Sequence, residues 1–152
     1  MTKAKNKIQI INNEDAPQLD VFGGVMRILS DGENLSPVVL ESWVPPGRGV
    51  PMHMHDRDDE LFYVLEGEIT VAQQTNETVV AKGGCVQLPH GIPHAFRNVS
   101  SNHARILVTL TPGLECLEMF RAFDNAGKNG SAPEPARIAE IAAQHGVTFI
   151  KA

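Results

Sequence analysis

The sequence is poor in the features that mark several large protein classes. It has two cysteines, Cys85 and Cys116, too few for a disulfide framework and in keeping with a reducing compartment. Acidic residues outnumber basic ones, 18 to 13, for a net charge of −5. That balance leaves no basic footprint for nucleic acid and no polybasic attraction to a membrane surface. No stretch approaches the roughly 20 apolar residues of a bilayer-spanning helix, and the N-terminus lacks the apolar core of a signal peptide. The expected location is cytoplasmic. Lys3, Lys5 and Lys7 form a small basic cluster that reads as a solvated tail, and no internal repeat is evident.

What is present is an ordinary globular composition. At 152 residues, with 42% hydrophobic and 20% charged side chains, the chain is expected to form one domain with its own core. Residues 1–20 are an N-terminal segment with one short β-like run, Ile8 to Ile11, suited to serve as an edge or exchanged strand. From 21 to 111 the pattern is of about nine short β-rich runs separated by turn residues. They are Val21–Leu29 (interrupted by Gly23-Gly24, a bulge or tight bend), Val38–Val44, Met52–His55, Leu61–Leu65, Glu68–Gln73, Thr78–Ala81, Cys85–Leu88, His94–Asn98 and Ala104–Thr111. Turn signals every eight to twelve residues predict an all-β sandwich or barrel. Cys85, in a short strand, reads as a small buried apolar residue.

The pattern changes over 112–152. Leu114, Leu117, Met119, Phe120 and Phe123 recur at helical spacing, with Pro112 near the start. Packed against the core or laid over one barrel end as a lid, this helix would follow the barrel directly. Asn125–Pro133 reads as a flexible linker. Pro135–His145 predicts a second short helix with Gly146 as its stop, and Val147–Ile150 a final strand.

Chemistry concentrates in Gly47–Gly67, GRGVPMHMHDRDDELFYVLEG. Side chains two apart in a strand share a face, so His53 and His55 present two imidazoles side by side. The polar run Asp56-Arg57-Asp58-Asp59 predicts a hairpin-like corner, with Glu60 entering the next strand close to both histidines. Asp58 and Asp59 read as solvated turn residues. Downstream, Pro89, Gly91 and Pro93 punctuate a turn, after which His94 begins a strand with Phe96 and Asn98 on its face. Two imidazoles and a carboxylate, with His94 as a fourth candidate, suit one divalent transition metal per chain: Zn, Fe, Mn, Ni or Co. His90, His103 and His145 read as ordinary polar residues, the last explained by its place at a helix C-terminus.

These two segments resemble the two motifs of the cupin superfamily. Gly47, His53, His55, Glu60 and Gly67 fill the first, G-x5-H-x-H-x4-E-x6-G. Gly83, Pro89, Gly91, His94 and Asn98 fill the second, G-x5-P-x-G-x2-H-x3-N, after an interval of fifteen residues. The resemblance implies a cupin double-stranded β-helix, a jelly-roll barrel over 21–111, and the helical C-terminal extension is similar to that of small quercetin-dioxygenase-like cupins. It implies His53, His55, Glu60 and His94 as metal ligands. Because this fold hosts many activities, it is a weak guide to the reaction.

Three imidazoles and one carboxylate leave two open positions on an octahedral ion, room for a bidentate substrate or for substrate with O2. Glu60 is the candidate general base. Phe62 and Val64 share parity with Glu60, and Phe96 with His94, so these three are the candidate apolar lining of a substrate pocket. The leading expectation is a metal-dependent oxygenase acting on a small aromatic or enolic compound. The alternatives are an isomerase, lyase or decarboxylase using the metal as a Lewis acid, and a non-catalytic module binding a small ligand. Leu61, Tyr63 and Leu65 would face outward, an apolar face that calls for cover and so predicts a homodimer.

Overall fold

A computed structural model describes residues 8–33 and 37–151. The basic cluster Lys3, Lys5 and Lys7 lies outside them. Among the described residues the strands are β1 (Gln18–Val21), β2 (Gly24–Asp31), β3 (Val38–Val44), β4 (Gly49–His55), β5 (Asp59–Glu66), β6 (Glu68–Gln73), β7 (Asn76–Ala81), β8 (Cys85–Leu88), β9 (His94–Arg97), β10 (Ala104–Thr111) and β11 (Val147–Phe149). Helices α1 (Leu114–Gly127) and α2 (Pro135–Gln144) lie between β10 and β11. One sheet runs β1-β2-β3-β10-β5-β8 and the other β11-β4-β9-β6-β7. Every pairing is antiparallel. The expected all-β barrel with a helical C-terminal extension is what forms.

The sheets stack because their strands alternate. In β10, Ala104, Ile106, Val108 and Leu110 are buried while the residues between them are not, the period-two pattern of a strand with one covered face. Val38, Leu40 and Val44 of β3 and Phe62 and Val64 of β5 meet them on the same side. Phe62 is fully buried, which contributes about 1.5–3 kcal/mol relative to leaving it in water. Gly67, between β5 and β6, has φ +69°, and a Cβ there would sit 2.9 Å from the His103 carbonyl oxygen. Only glycine fits such a turn without strain.

Several elements differ from the sequence-based expectation. Val21–Leu29 is a hairpin rather than one strand, because Phe22 and Gly23 both take positive φ and turn the chain between β1 and β2. The tight bend signalled by Gly23-Gly24 is real. Ile8–Ile11 form no strand, and Ile8 and Ile10 are highly exposed. Cys85 is exposed rather than buried, since it lies opposite Tyr63 at the sheet edge, on the outward parity. Helix α1 runs through Asn125 to Gly127, which shortens the linker. The helix packs as core: Cys116, Leu117, Met119 and Phe123 are all buried.

The corner after His55 is not a hairpin. Strands β4 and β5 lie in opposite sheets, so 56–58 carry the chain from one layer to the other. Strand β11 then pairs with β4, placing Val147 opposite His55 and Phe149 opposite His53. The C-terminal extension thus flanks the strand on which two of the candidate ligands sit.

Candidate metal centre

Two adjacent strands of one sheet and one strand of the other converge at the site. On β4 the pleat sends His53 and His55 to the same, inner face, and both are buried. A bulge between Val50 and His53 sets the β4–β9 register so that His53 pairs with His94. Glu60, second residue of β5, reaches in from the facing sheet between Leu88 and Leu110. All four side chains are buried, and one ligand atom from each lies within 4.8 Å of the others.

The rings are packed edge to face and stacked. Centroids are 4.4 Å apart for His53 and His94, 5.1 Å for His53 and His55, and 5.6 Å for the stacked His55 and His94. Glu60 Oε2 lies 3.4 Å from His94 Nε2 and 3.6 Å from His55 Nε2, in contact but without hydrogen-bond geometry to either. His53 Nδ1 lies 2.9 Å from the Pro51 carbonyl oxygen, and His94 Nδ1 lies 2.9 Å from that of Ile92. A carbonyl only accepts, so each of these Nδ1 atoms carries a proton, and in the neutral ring Nε2 keeps its lone pair.

Four buried side-chain nitrogen or oxygen atoms lack a hydrogen-bond partner among the described residues, and three of them are His55 Nε2, Glu60 Oε2 and His94 Nε2. Each such group costs about 1–3 kcal/mol if left unpaired. Concentrating three at one point is costly unless something positive sits among them. A divalent cation satisfies all of them together, and two imidazole nitrogens with one carboxylate are a donor set that transition ions accept. The residues present therefore fit the metal expected from the sequence.

Protonation follows the surroundings. Burial, helped by the neighbouring His94, lowers His53 to about 4, so this ring is neutral near pH 7 and open to a cation. Burial also lowers His55. At His94 burial is the largest single influence and lowers it, but the Glu60 carboxylate and the Ile92 carbonyl outweigh it and leave the net direction upward. A proton is drawn to the place where a cation would sit.

Asp58, expected to be solvated, is buried at 4% exposure and accepts the Gly113 N–H at 2.9 Å. The N-terminus of α1 provides for it. Cys116 of α1, only 1% exposed, places Sγ 3.3 Å from His55 Nδ1. Burial, and after it Asp58, pushes its thiol far above the usual range, so it stays protonated. Neither residue carries a local signal of this role, since Cys116 is 61 positions from His55. Asn98 does not face the site. It is fully buried, donates to the Val44 and Asn102 carbonyls, and accepts from Ser100, tying the turn after β9. His90 is exposed and pairs with Asp59 at 2.7 Å. His145, at the C-terminal end of α2, meets Glu115 at 3.1 Å.

Phe62 and Val64 lie in the buried core, on the same face of β5 as Glu60. Phe96 packs edge-on against Phe62, ring centroids 5.0 Å apart. A cleft of about 260 Å³ is lined by Gly49, Thr70, Ala72, Ala95, Phe96 and Arg97, among others, and by none of the four convergent side chains. By register, Gly49, Thr70 and Arg97 sit on the sheet face opposite to the one bearing His94, whereas Phe96 shares the face of His94.

Comparison with known proteins gives a consistent outline. A family profile described as "Cupin domain" matches residues 41–110. The chain is 27% identical over 104 residues to the HTH-type transcriptional regulator PuuR of Escherichia coli (strain K12), covering 68% of this chain and 56% of the regulator. It is 30% identical over 77 residues to quercetin 2,3-dioxygenase of Bacillus subtilis (strain 168), covering 51% of this chain and 23% of that enzyme. The chain thus spans little more than half the length of the first relative and under a quarter of the second. Among solved structures, the polyketide cyclase RemF from Streptomyces resistomycificus superposes with a TM-score of 0.59 over 68% of this chain and 79% of that chain, at 24% identity. That likeness is one of fold.

Proposed function

We propose that this chain, whose residues 41–110 match the cupin domain, is a metal-dependent oxygenase acting on a small aromatic or enolic compound. His53, His55, Glu60 and His94 hold one divalent transition metal per chain. The observation that carries this reading is the buried convergence of His55 Nε2, Glu60 Oε2 and His94 Nε2 with no protein partner. The stretch shared with the Bacillus quercetin 2,3-dioxygenase supports the choice of oxygen chemistry.

When bound, the metal supplies open positions for oxygen ligands and the capacity to exchange electrons or polarise a carbonyl. The chain's residues do the rest. Neutral imidazoles fixed by the Pro51 and Ile92 carbonyls hold their orientation without needing to rearrange. Glu60, alone among the four on the facing sheet, is the group able to take a proton from a substrate hydroxyl. Phe62, Val64 and Phe96 form the apolar backing that keeps water from that side.

A second reading rests on the regulator PuuR, whose match covers 68% of this chain: a barrel that binds a small molecule without turning it over. Oxygen uptake separates the two. With catechols, flavonols and enols, the metal-loaded protein consumes O2, and Glu60→Gln slows this by about 10²–10⁴-fold, the usual contribution of a general base. Product formed without O2 would indicate Lewis-acid isomerase, lyase or decarboxylase chemistry instead. Tight binding with no turnover would make the protein a ligand-binding cupin.

The outer face of β5 supports a homodimer, with Tyr63 41% exposed between the half-buried Leu61 and Leu65. Among the described residues no helix is long and apolar enough to cross a membrane.

A further inference from the structure

His55 differs from the other two histidines in what its Nδ1 meets. His53 and His94 each face a backbone carbonyl two residues earlier in the chain. His55 Nδ1 faces the sulfur of Cys116 at 3.3 Å. Asp58 completes a buried cluster in which one ligand-type atom from each of the three residues lies within 4.8 Å of the others. Asp58 is itself held by the Gly113 N–H, and Gly113 caps α1, the helix whose first turn carries Cys116. The three members come from β4, from the crossing between the sheets, and from the C-terminal extension.

We propose that Cys116 and Asp58 are positioning residues that fix the tautomer and ring orientation of His55, and so tie the metal centre to the first turn of α1. The proposal rests on the metal reading above. A histidine that binds metal through Nε2 must keep its proton on Nδ1, and it is held there by whatever accepts that proton. At His53 and His94 a carbonyl enforces this, because it can only accept. A thiol both donates and accepts, so Cys116 alone would leave the choice open. Asp58 removes it. An ionised carboxylate only accepts, so the thiol hydrogen is directed to Asp58, and the sulfur is left to accept the His55 Nδ1–H. The chain of donors runs His55 to Cys116 to Asp58, with the Gly113 N–H anchoring the carboxylate at its far end.

The same three residues could themselves be taken for a second cation site. That would require His55 to give up both ring protons and Cys116 its thiol proton in a buried setting. The geometry points instead to one metal and a hydrogen-bonded relay behind it.

The test uses the full chain, metal-free and then titrated with Co2+, as wild type, Cys116→Ala, Cys116→Ser and Asp58→Asn. Long-range 1H–15N NMR of the metal-free protein reads the His55 tautomer directly. The relay predicts a wild-type His55 protonated on Nδ1, a mixture of tautomers in Cys116→Ala, and a Co2+ affinity about 10–100-fold weaker in that variant, the usual effect of losing a ligand's orienting partner. Cys116→Ser, whose hydroxyl can both accept and donate, recovers most of the loss. A wild-type His55 protonated on Nε2 would overturn the relay. So would a Cys116→Ala variant with lower melting temperature but unchanged tautomer and affinity, which would make Cys116 a packing residue. If Cys116→Ala does not fold, Asp58→Asn decides by the same two readouts. Two Co2+ ions per wild-type chain, one of them lost with Cys116, would replace the relay with a second metal site. A wild type that binds no Co2+ at all overturns the metal reading, whereas normal wild-type binding with unaffected variants overturns the relay alone.

Discussion

Replacing His94 by alanine is expected to weaken metal binding by more than about 100-fold, beyond the range seen when only an orienting neighbour is lost. The barrel should remain folded. His94 sits at the join of the two parts of the site: it pairs with His53 in the β4–β9 register, and its Nε2 lies closest to Glu60 Oε2. Removing its ring deletes one lone pair and leaves Glu60 with one imidazole contact fewer. It does not remove any of the apolar side chains that join the sheets. Titration with Co2+ or Ni2+, alongside far-UV circular dichroism, measures both consequences. A variant that kept wild-type affinity would show that His94 is not a ligand.

Deleting 146–152 is expected to damage stability and metal binding together. Strand β11 covers the free edge of β4, with backbone bonds continuing on either side from Asp56 N–H to the Gly146 carbonyl and from Ile150 N–H to the Met52 carbonyl. Val147 is buried, and the Phe149 ring lies 6.0 Å from that of His53. Losing these two side chains removes about 3–5 kcal/mol of apolar burial, which lowers the melting temperature by on the order of 10 °C in a domain of this size. Water then reaches the edge of the ligand strand, and metal affinity falls with it. Unchanged affinity in the truncated chain would mean that the extension is a stabilising cover and takes no part in the site.

Much of this arrangement was legible in the sequence because it depends on local rules. The period of two placed His53 and His55 on one face, and turn residues at Gly47, Gly67, Gly83 and Gly91 fell where the chain takes positive φ. Strands β3, β6, β8 and β10 matched the runs read from alternation and turn signals. What escaped was set by distant partners. A short polar turn looks the same whether it closes a hairpin or crosses between sheets, so the separation of β4 from β5 could not be read from Asp56-Arg57-Asp58-Asp59. Within that run, Asp58 is buried and Asp59 exposed: the Gly113 N–H reaches the first, and the exposed His90 meets the second. Cys85 departs from its expected buried environment for a similar reason, and Cys116 had no environment assigned to it. One faces outward at a sheet edge, and the other is pressed by α1 against His55. The three residues of β11 gave no clue that the edge they would seek was the ligand strand.

We propose that His53, His55, Glu60 and His94 form one metal centre. Elemental analysis of the purified untagged protein beside His53→Ala tests it most directly. A single four-ligand centre predicts about one Fe, Mn, Ni, Co or Zn per wild-type chain, with that metal lost in the variant. A wild type that holds no metal, even after reloading with each of these ions, would contradict it.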